Sequence, residues 1–280
     1  MPATASIPSL ITLLDDPNPA VRGGVEKALL EYRGDVSDDL LALGLVVPKP
    51  AAARLSKLLH PGRHLALREA WVVPFQRLSS PDGDWEELEA LLRLLSDFLH
   101  DGVTVRLSLS DELDMLAEEL EGEVTNELEL GKALFAEGRL TGNRENGYDP
   151  RNSDLAWCLT EGRSNALGLS LIYSLVAERL GYHVYGCNYP GHFLSYIDGE
   201  NGEPTLVDCF HQARLIPVAG LTKKHPELSP RARRAILQPC ELGAMLRRVL
   251  ANLHLAFNKA DAPEDADLIY ELLIPFGDDD

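Results

Sequence analysis

Residues 164–181 read SNALGLSLIYSLVAERLG, and this stretch decides the fold. Between positions 167 and 180 the side chains are apolar on nearly every side, and charge appears only at Glu178 and Arg179. A helix at the protein surface would instead carry one apolar stripe and one charged face. The pattern therefore predicts a helix that is buried in the core of a domain.

Both ends of this helix carry recognisable signals, and two extended segments follow it. Ser164 suits the N-cap position, and Gly181 suits the left-handed residue that follows the last turn. The segments HVYGCNYPGHFLSYID (183–198) and EPTLVDCFHQARLI (203–216) are rich in the β-branched and aromatic residues of strands. Between them, GENG (199–202) predicts a hairpin turn. We expect the buried helix to pack on a small antiparallel sheet.

Most of the remaining chain shows helical periodicity, whereas residues 217–239 contain four prolines and are expected to be irregular. The predicted fold class is α+β, mostly helical, with the buried helix packed on the small antiparallel sheet. Helices are predicted over 7–33 (two helices), 38–43, 51–59, 65–77, 85–99, 110–137 (one helix, or two separated near Gly122), 240–260 and 265–273.

Composition and charge exclude several classes of function. The 45% hydrophobic content is that of a globular protein, and the formal net charge is -18. Phosphate backbones and anionic lipid surfaces would be repelled, so we expect no nucleic acid and no membrane as partner. The first ten residues lack the basic and apolar regions of a signal peptide. We therefore expect a cytoplasmic protein whose partner, if any, is a protein or peptide.

The sequence predicts no metal site and no cofactor. None of the cysteines is paired at the short spacing of a zinc knuckle, and without an export signal we expect reduced thiols. The histidines of the first hundred residues also lack companion ligands at a metal-binding spacing. These cysteines are Cys158, Cys187, Cys209 and Cys240, and these histidines are His60, His64 and His100.

One arrangement of residues could carry chemistry. A Cys-His-Asp site needs a thiol at the start of a buried helix, a His on a neighbouring strand and an Asp that orients the His. His192 lies in PGHFLSY and Asp208 lies in LVDCF. A hairpin that turns at 200–202 would bring the two positions together on paired strands. His192 and Asp208 are therefore the candidate catalytic residues.

The nucleophile of such a site is not evident in the sequence. Ser164 is the hydroxyl group nearest to the helix start, and its position is explained as well by an N-cap role. Cys209 directly follows Asp208, so strand alternation points its side chain to the opposite face. The cysteines are best explained as small buried apolar residues. Ser164 and Cys187 stay open as alternative nucleophiles that His192 would activate.

The segment from YDPRNS (148–153) to LVDCFHQARLI (206–216) resembles the transglutaminase-like core of bacterial SirB-type proteins. The motifs YDPRNS, SLIY…VAERLG and PGHFL together carry the resemblance. LLDDPNPAVRGGVEKAL (13–29) is similar to the hairpin of a HEAT-like repeat, and the last helices are similar to a remnant of tetratricopeptide-like helices. The resemblance implies three regions: a helical HEAT-like N-terminal region (1–100), a transglutaminase-like core with a helical lead-in (101–220) and a C-terminal helical extension (221–280).

The resemblance also implies that the position of the nucleophile is vacant. In active transglutaminase-like enzymes a Cys occupies the position that falls here on Ala166, counting back from Gly181. His192 and Asp208 match the family's PGHF and (I/V)DPF motifs, although Cys209 replaces the usual Pro. We expect the geometry of the triad to survive without the reaction. The Arg, Gly and Pro that are common at the helix start in this family are replaced by Gly162, Ser164 and Ala166.

Three hypotheses about function follow. The first is a catalytically silent transglutaminase-like domain that acts as a binding or regulatory module for a protein, peptide or small ligand. The second is a hydrolase or acyltransferase that uses Ser164 or Cys187 with His192 and Asp208. The third is a helical adaptor in which His192 and Asp208 are purely structural. For the first hypothesis, the candidate ligand-binding residues are Asn152, Arg163 and Ser164.

Overall fold

The computed structural model describes residues 6–198 and 203–277, so the predicted turn at 199–202 lies outside the described residues. Contacts divide the chain into two compact units. Unit 1 comprises Met1–Val72 and Asp97–Leu107, and unit 2 comprises Val73–Ser96 and Ser108–Asp280. The division into regions 1–100, 101–220 and 221–280 stays a prediction.

Unit 1 is helical, and its core forms where the apolar faces of its helices meet. Asn18 caps the second helix by accepting a hydrogen bond from the amide of Ala20, and Pro19 occupies the first turn. The two helices predicted over 7–33 are confirmed. The core includes Leu29, Leu55 and Leu59, all nearly inaccessible to solvent. The helices are α1 (Ile7–Thr12), α2 (Pro19–Leu30), α3 (Ser37–Ala42) and α4 (Lys49–Ala70).

The helices predicted at 51–59 and 65–77 are wrong as separate elements, because α4 runs through both up to Ala70. Pro61 lies inside α4 and lacks the amide that an interior helical residue donates. The buried guanidinium of Arg63 donates to the carbonyl groups of Gly34, Asp101 and Ser56. These contacts hold the segment around Pro61 in place, so tertiary structure overrides the local signal for a break.

Helices also dominate unit 2. The predicted helix at 110–137 is interrupted, because Gly122 has a left-handed φ of 79° after the first segment ends. The helices are α5 (Trp85–Leu99, whose last three residues belong to unit 1), α6 (Leu109–Leu120), α7 (Glu127–Gly131, continued by a π-helical turn, Lys132–Ala136), α8 (Leu155–Glu161), α9 (Ala166–Arg179), α10 (Val218–Lys224), α11 (Pro230–Leu237), α12 (Leu242–Lys259) and α13 (Pro263–Leu273). Short 3₁₀ helices cover Pro150–Ser153, Cys209–His211 and Ile274–Phe276.

The prediction that 217–239 is irregular is wrong, because α10 and α11 lie within it. Pro217 caps α10 and Pro230 occupies the first turn of α11, where a missing amide breaks no intrahelical hydrogen bond. Ser229 caps α11 by accepting from the amide of Ala232. Two of the four prolines that suggested an irregular segment therefore mark helix starts.

The central helix α9 is buried as predicted, and every residue from Leu167 to Ala177 is inaccessible or nearly so. Its N-cap is Asn165, whose side chain accepts from the amide of Gly168, so the prediction of Ser164 at this position is wrong. Ser164 belongs instead to a short parallel pair between β1 (Thr141–Gly142) and β2 (Arg163–Ser164). Its hydroxyl lies against Gly168 in the first turn of α9, but it donates to the carbonyl group of Asn152 and does not cap the helix. Gly181 has the predicted left-handed φ, 74°.

The main sheet is antiparallel, with the order β3-β4-β5-β6. Each of the two extended segments predicted from sequence contains two strands, because a turn interrupts it. Ser195 pairs with Val207 and Asp208 pairs with Arg214, which sets the register around the candidate site. The strands are β3 (Tyr185–Cys187), β4 (Leu194–Asp198), β5 (Pro204–Asp208) and β6 (Arg214–Pro217).

The predicted fold class, α+β with a buried helix against a small antiparallel sheet, is confirmed. Helix α9 packs against β4, β3 and the 3₁₀ helix that follows β5. The N-terminal end of α9 therefore lies close to the strand ends that carry the candidate residues. None of the helices in the described ranges combines the length and the hydrophobicity that a bilayer crossing requires.

Candidate functional site

A cavity of about 180 Å³ opens at the N-terminal end of α9. It is bounded by that helix end, by the loop before β4, by the loop and 3₁₀ helix before α8, and by one face of α12. Its lining mixes polar and apolar groups, as in a small ligand site. The lining residues that matter below are Asp149, Ser153, Ala166, His192, Arg248 and Asn252.

His192 and Asp208 form a hydrogen-bonded pair, with 2.9 Å between Nε2 of the imidazole and Oδ1 of the carboxylate. Asp208 is the last residue of β5 and is fully buried, whereas the His192 side chain is 33% exposed. Gly191, with a left-handed φ of 79°, turns the chain just before His192. The structure therefore brings together the two candidate catalytic residues predicted from sequence.

The buried carboxylate of Asp208 has two further partners. His211 Nδ1 and an Arg214 guanidinium nitrogen each lie 2.9 Å from its Oδ2. Burial alone would raise the pKa of this carboxyl group, but hydrogen bonds and charge from His192 and His211 hold the pKa of Asp208 below its ordinary value of 3.8. Asp208 is thus a buried anion with partners on three segments: the loop before β4, the 3₁₀ helix after β5, and β6.

Ala166 is the first residue of α9 and lines the cavity together with His192. The first amides of a helix have no acceptor within it, and they form the positive end of its dipole. The Asn165 side chain accepts a hydrogen bond from the amide of Gly168. Ala166 and Leu167 precede Gly168 in the chain, and both line the cavity. The helix end is therefore suited to bind an oxygen, and Ala166 contributes no nucleophilic side chain to the cavity.

Neither of the alternative nucleophiles lines the cavity. The Ser164 hydroxyl is fully buried and donates to the carbonyl group of Asn152 at 3.0 Å. The Cys187 thiol is also buried and donates to the carbonyl group of Ala235. Burial raises the pKa of the Cys187 thiol to about 12, so it would be protonated at neutral pH.

The other three cysteines are equally poor nucleophiles. Burial raises the pKa of Cys209 and that of Cys240 to about 12, and it raises the pKa of Cys158 as well. Cys158 is buried in α8, with its thiol near two backbone carbonyl groups. Cys209 lies in a 3₁₀ helix rather than a strand, against the hydroxyl groups of Ser170 and Ser195.

The candidate ligand-binding residues do not line the cavity beside His192. Asn152 is 1% exposed, donates to the carbonyl groups of Asn146 and Gly147, and accepts from Asn143. It therefore clamps the loop that carries Asp149 and Ser153 to the cavity wall. Ser164 adds to this clamp through its hydrogen bond to Asn152. Arg163 lies instead over the ring of Trp157.

Sequence reasoning missed the contribution of α12. Arg248 and Asn252 are four residues apart on this helix, so they share one face, and both line the cavity. The Arg248 guanidinium donates to the Asn188 side chain at 2.7 Å, which links α12 to the loop before His192. The polar pair on an otherwise apolar helix face was the available signal, but helical periodicity does not indicate which surface a helix packs against.

Asp149 closes the cavity wall through its bidentate contact with Arg151, with distances of 3.1 and 2.8 Å. Burial alone would raise the pKa of Asp149, but the hydrogen bonds from Arg151 hold it below its ordinary value of 3.8. A carboxyl group whose pKa is lower in the folded than in the unfolded protein contributes its full stabilisation at pH values above the unfolded-state pKa. That stabilisation is lost as the pH falls through the folded-state pKa.

Asp149→Asn is therefore expected to lower the free energy of unfolding by about 1 kcal/mol at neutral pH, a modest amount because Arg151 is more than half exposed. The difference between the two proteins should shrink as the pH falls below 3.8. Urea unfolding of both proteins across an acidic pH series measures it. A difference that is the same at every pH would mean that the charge of Asp149 contributes nothing.

Comparison with known proteins agrees with this architecture. A buried helix whose first turn lines a cavity with His192, beside an antiparallel sheet that carries Asp208, is the arrangement of papain-like and transglutaminase-like cores. A sequence model described as "Transglutaminase-like superfamily" matches residues 107–251. Because this match spans more than half of the chain, the protein belongs to the transglutaminase-like superfamily.

Two curated relatives are similar to part of the chain. Both are named "UPF0162 protein" and come from Xylella fastidiosa, one from strain Temecula1 and one from strain 9a5c. Each is 32% identical over 154 residues, which is 51% of this chain and 54% of the relative. The chain thus spans about half the length of the curated relatives it matches. No solved structure matches it.

Proposed function

We propose that the protein is a catalytically silent transglutaminase-like module that binds a peptide, a protein or a small ligand in the cytoplasm. One observation carries the proposal: Ala166 occupies the first position of α9, within the cavity that His192 lines. The base and its orienting carboxylate are present at 2.9 Å, but a methyl group cannot attack a substrate. We also propose that the protein is of the SirB type, with a HEAT-like helical N-terminal region and a remnant of tetratricopeptide-like helices at the C-terminal end.

The chemistry of the cavity supports binding of a small polar group. Its volume of about 180 Å³ suits one side chain or one small ligand. The N-terminal end of α9 favours an oxygen with negative or partial negative charge. The Asn252 carboxamide and the Ser153 hydroxyl supply both donors and acceptors on the opposite walls. We propose a carboxylate or carboxamide, presented by a peptide or a small molecule, as the bound group.

The formal net charge of -18 supports a protein or peptide partner over nucleic acid or an anionic membrane, because both would be repelled. The alternative of an enzyme with Ser164 or Cys187 as nucleophile has less support. Both groups are buried and donate to backbone carbonyl groups away from the cavity lining.

The proposal predicts no turnover by the purified full chain. Fluorogenic peptide amides test thiol-protease activity, and a fluorescent amine with a glutamine-containing acceptor peptide tests transamidation. Rates should equal the buffer background for the protein and for His192→Ala alike, because no nucleophile is positioned to react. Turnover by the native chain that His192→Ala abolishes would overturn the proposal.

A binding arm of the same experiment uses N-acetylglutamate and N-acetylglutamine as probes, with calorimetry as the readout. Binding should weaken in Asn252→Leu, because the substitution removes a polar group of the cavity wall. Asn258→Leu is the matched control, because it makes the same change at an exposed position of α12. Equal affinity in the two variants would show that neither probe uses this cavity.

A further inference from the structure

We propose that His192, Asp208 and His211 form a binding site for a divalent first-row transition-metal ion. The inference goes beyond the proposed function and departs from the sequence prediction of no metal site. It explains a feature that the His–Asp pair leaves unexplained. A triad remnant needs one imidazole on Asp208, yet the structure places two there, each at 2.9 Å from a carboxylate oxygen.

The donor set is the one that such ions prefer. His192 Nε2, an oxygen of Asp208 and His211 Nδ1 all lie within 4.8 Å of one another. Two imidazoles and one carboxylate bind Zn²⁺ at about 2.0–2.2 Å in catalytic zinc sites and bind non-haem iron in oxygenases, in both cases with coordination positions left open. A set of three protein ligands can therefore hold an ion and still accept an oxygen from a bound ligand.

The fold fixes one ligand and leaves the others room to adjust. Asp208 is fully buried at the end of β5, whereas the side chains of His192 and His211 are 33% and 45% exposed. An ion would draw the two rings slightly closer together, and rings at the surface can make such a shift without repacking the core. The chain reverses just after His211, because Gln212 and Ala213 both have left-handed φ values of 58° and 56°.

The proton balance of binding is simple. Each imidazole nitrogen that now faces Asp208 must present its lone pair to the ion. His192 then binds through Nε2 with its proton on Nδ1, and His211 binds through Nδ1 with its proton on Nε2. The proton moves between ring nitrogens through solvent, and no co-reactant is required.

Arg214 sets a limit on affinity that can be tested. Its guanidinium donates to Oδ2 of Asp208 at 2.9 Å, and its side chain is 62% exposed. A cation at the carboxylate would be repelled by this charge. Removing the guanidinium should therefore strengthen metal binding, an effect that a purely structural His–Asp–His cluster would not produce.

The test is a Zn²⁺ titration of the full chain against a chromophoric chelator, in a His60→Asn/His64→Asn background. These two histidines lie one turn apart on α4, with ring centroids 4.6 Å apart, and could bind Zn²⁺ themselves. We expect one ion per chain. Loss of an outer-shell partner costs about 10- to 100-fold in metal affinity, so His211→Ala should cost at least about 100-fold.

Three further measurements make the test decisive. His225→Ala removes an exposed imidazole outside the cluster and should leave Zn²⁺ affinity unchanged. Arg214→Ala should raise the affinity several-fold. Co²⁺ in place of Zn²⁺ should give visible absorption bands that disappear in His211→Ala, while near-ultraviolet circular dichroism confirms that this variant is folded.

The metal site is overturned if His211→Ala binds Zn²⁺ as tightly as its parent, or if Arg214→Ala binds it less tightly. Neither result would affect the proposed function, because the turnover assay does not depend on added metal. Conversely, turnover by the chain in the presence of a chelator would overturn the proposed function and leave the metal site standing.

Discussion

Asp208→Asn is expected to lower the free energy of unfolding of unit 2 by about 2–4 kcal/mol, the largest loss of stability we predict. The carboxylate is fully buried and accepts hydrogen bonds from His192, His211 and Arg214. The carboxamide keeps one acceptor oxygen and turns an NH₂ group toward side chains that are themselves donors. The hydrogen bond at the NH₂ position survives only if the imidazole there changes tautomer, and the bonds that remain lose the charge of the carboxylate.

The expected loss is smaller than the sum of three charged hydrogen bonds, at about 1.5–3 kcal/mol each, because the partners of Asp208 can reach water. Their side chains are between 33% and 62% exposed. Removing one partner of Asp208 should lower the free energy of unfolding by less than removing the carboxylate itself. Arg214→Ala leaves the two imidazoles on the carboxylate, so we expect it to cost less than about 1 kcal/mol.

Urea unfolding measures this effect, with the fluorescence of Trp85 and Trp157, both in unit 2, as the probe. Trp71, which lies in unit 1, is replaced by Phe in every protein compared, so that the signal reports on unit 2 alone. A chelator in all samples removes any contribution from bound metal. Asp198→Asn is the control, because it makes the same change at an exposed end of β4 and should cost no more than about 0.5 kcal/mol.

A loss below about 1 kcal/mol for Asp208→Asn would contradict the description of Asp208 as the anchor of this cluster. It would mean that the buried carboxylate gains little from its three partners, or that the carboxyl group is protonated in the folded state. The second explanation can be separated from the first, because a carboxyl group that is protonated in the folded state has a raised pKa. The stability of the native protein relative to Asp208→Asn would then fall as the pH rises above the unfolded-state pKa.

The proximity of His192 to Asp208 could be predicted because a hairpin brings its two arms together, although His192 lies in the loop before β4 and not in a strand as expected. Two extended segments joined by a short turn allow few registers, and alternation decides which face each side chain occupies. The buried helix was equally predictable, because charge is absent from its middle on every side. These features depend on residues that are close together in the sequence.

The rest of the site depends on contacts that local patterns do not contain. His211 reaches Asp208 because the chain turns back at Gln212 and Ala213, two residues without the usual glycine signal for a left-handed backbone. Arg248 and Asn252 line the cavity because α12 packs there. The N-cap is Asn165 and not Ser164, because Ser164 pairs in β2 with β1 and its hydroxyl donates to the carbonyl group of Asn152.

Ala166→Cys is expected to create a thiol that alkylates about tenfold faster, near pH 6, than an ordinary exposed thiol. The new side chain would stand at the first position of α9, where the helix dipole favours thiolate, in the cavity that His192 lines. A helix N-terminus with an imidazole nearby lowers the pKa of a thiol from about 8.5 to about 4–7. A thiolate of lower pKa is also less nucleophilic, and this offsets part of the gain.

The native thiols leave a low background for this measurement, because burial raises the pKa of Cys187, Cys209 and Cys240 to about 12. Iodoacetamide labelling followed by peptide mass spectrometry gives the rate at position 166. Ala20→Cys is the matched control, because it places a thiol in the exposed first turn of α2. Ala166→Cys/His192→Gln separates the effect of the imidazole from that of the helix.

Ala166→Cys is expected to react fastest, and the double variant and Ala20→Cys, which keep only the effect of a helix N-terminus, are expected to react more slowly and at similar rates. That order would mean that α9 and His192 still form a site able to activate sulfur, and that the native chain lacks only the nucleophile. A rate for Ala166→Cys at or below that of Ala20→Cys would contradict this. The His192–Asp208 pair would then be part of the folded core alone, because an imidazole that cannot act on a thiol at the helix start cannot be the base of a vacant catalytic site.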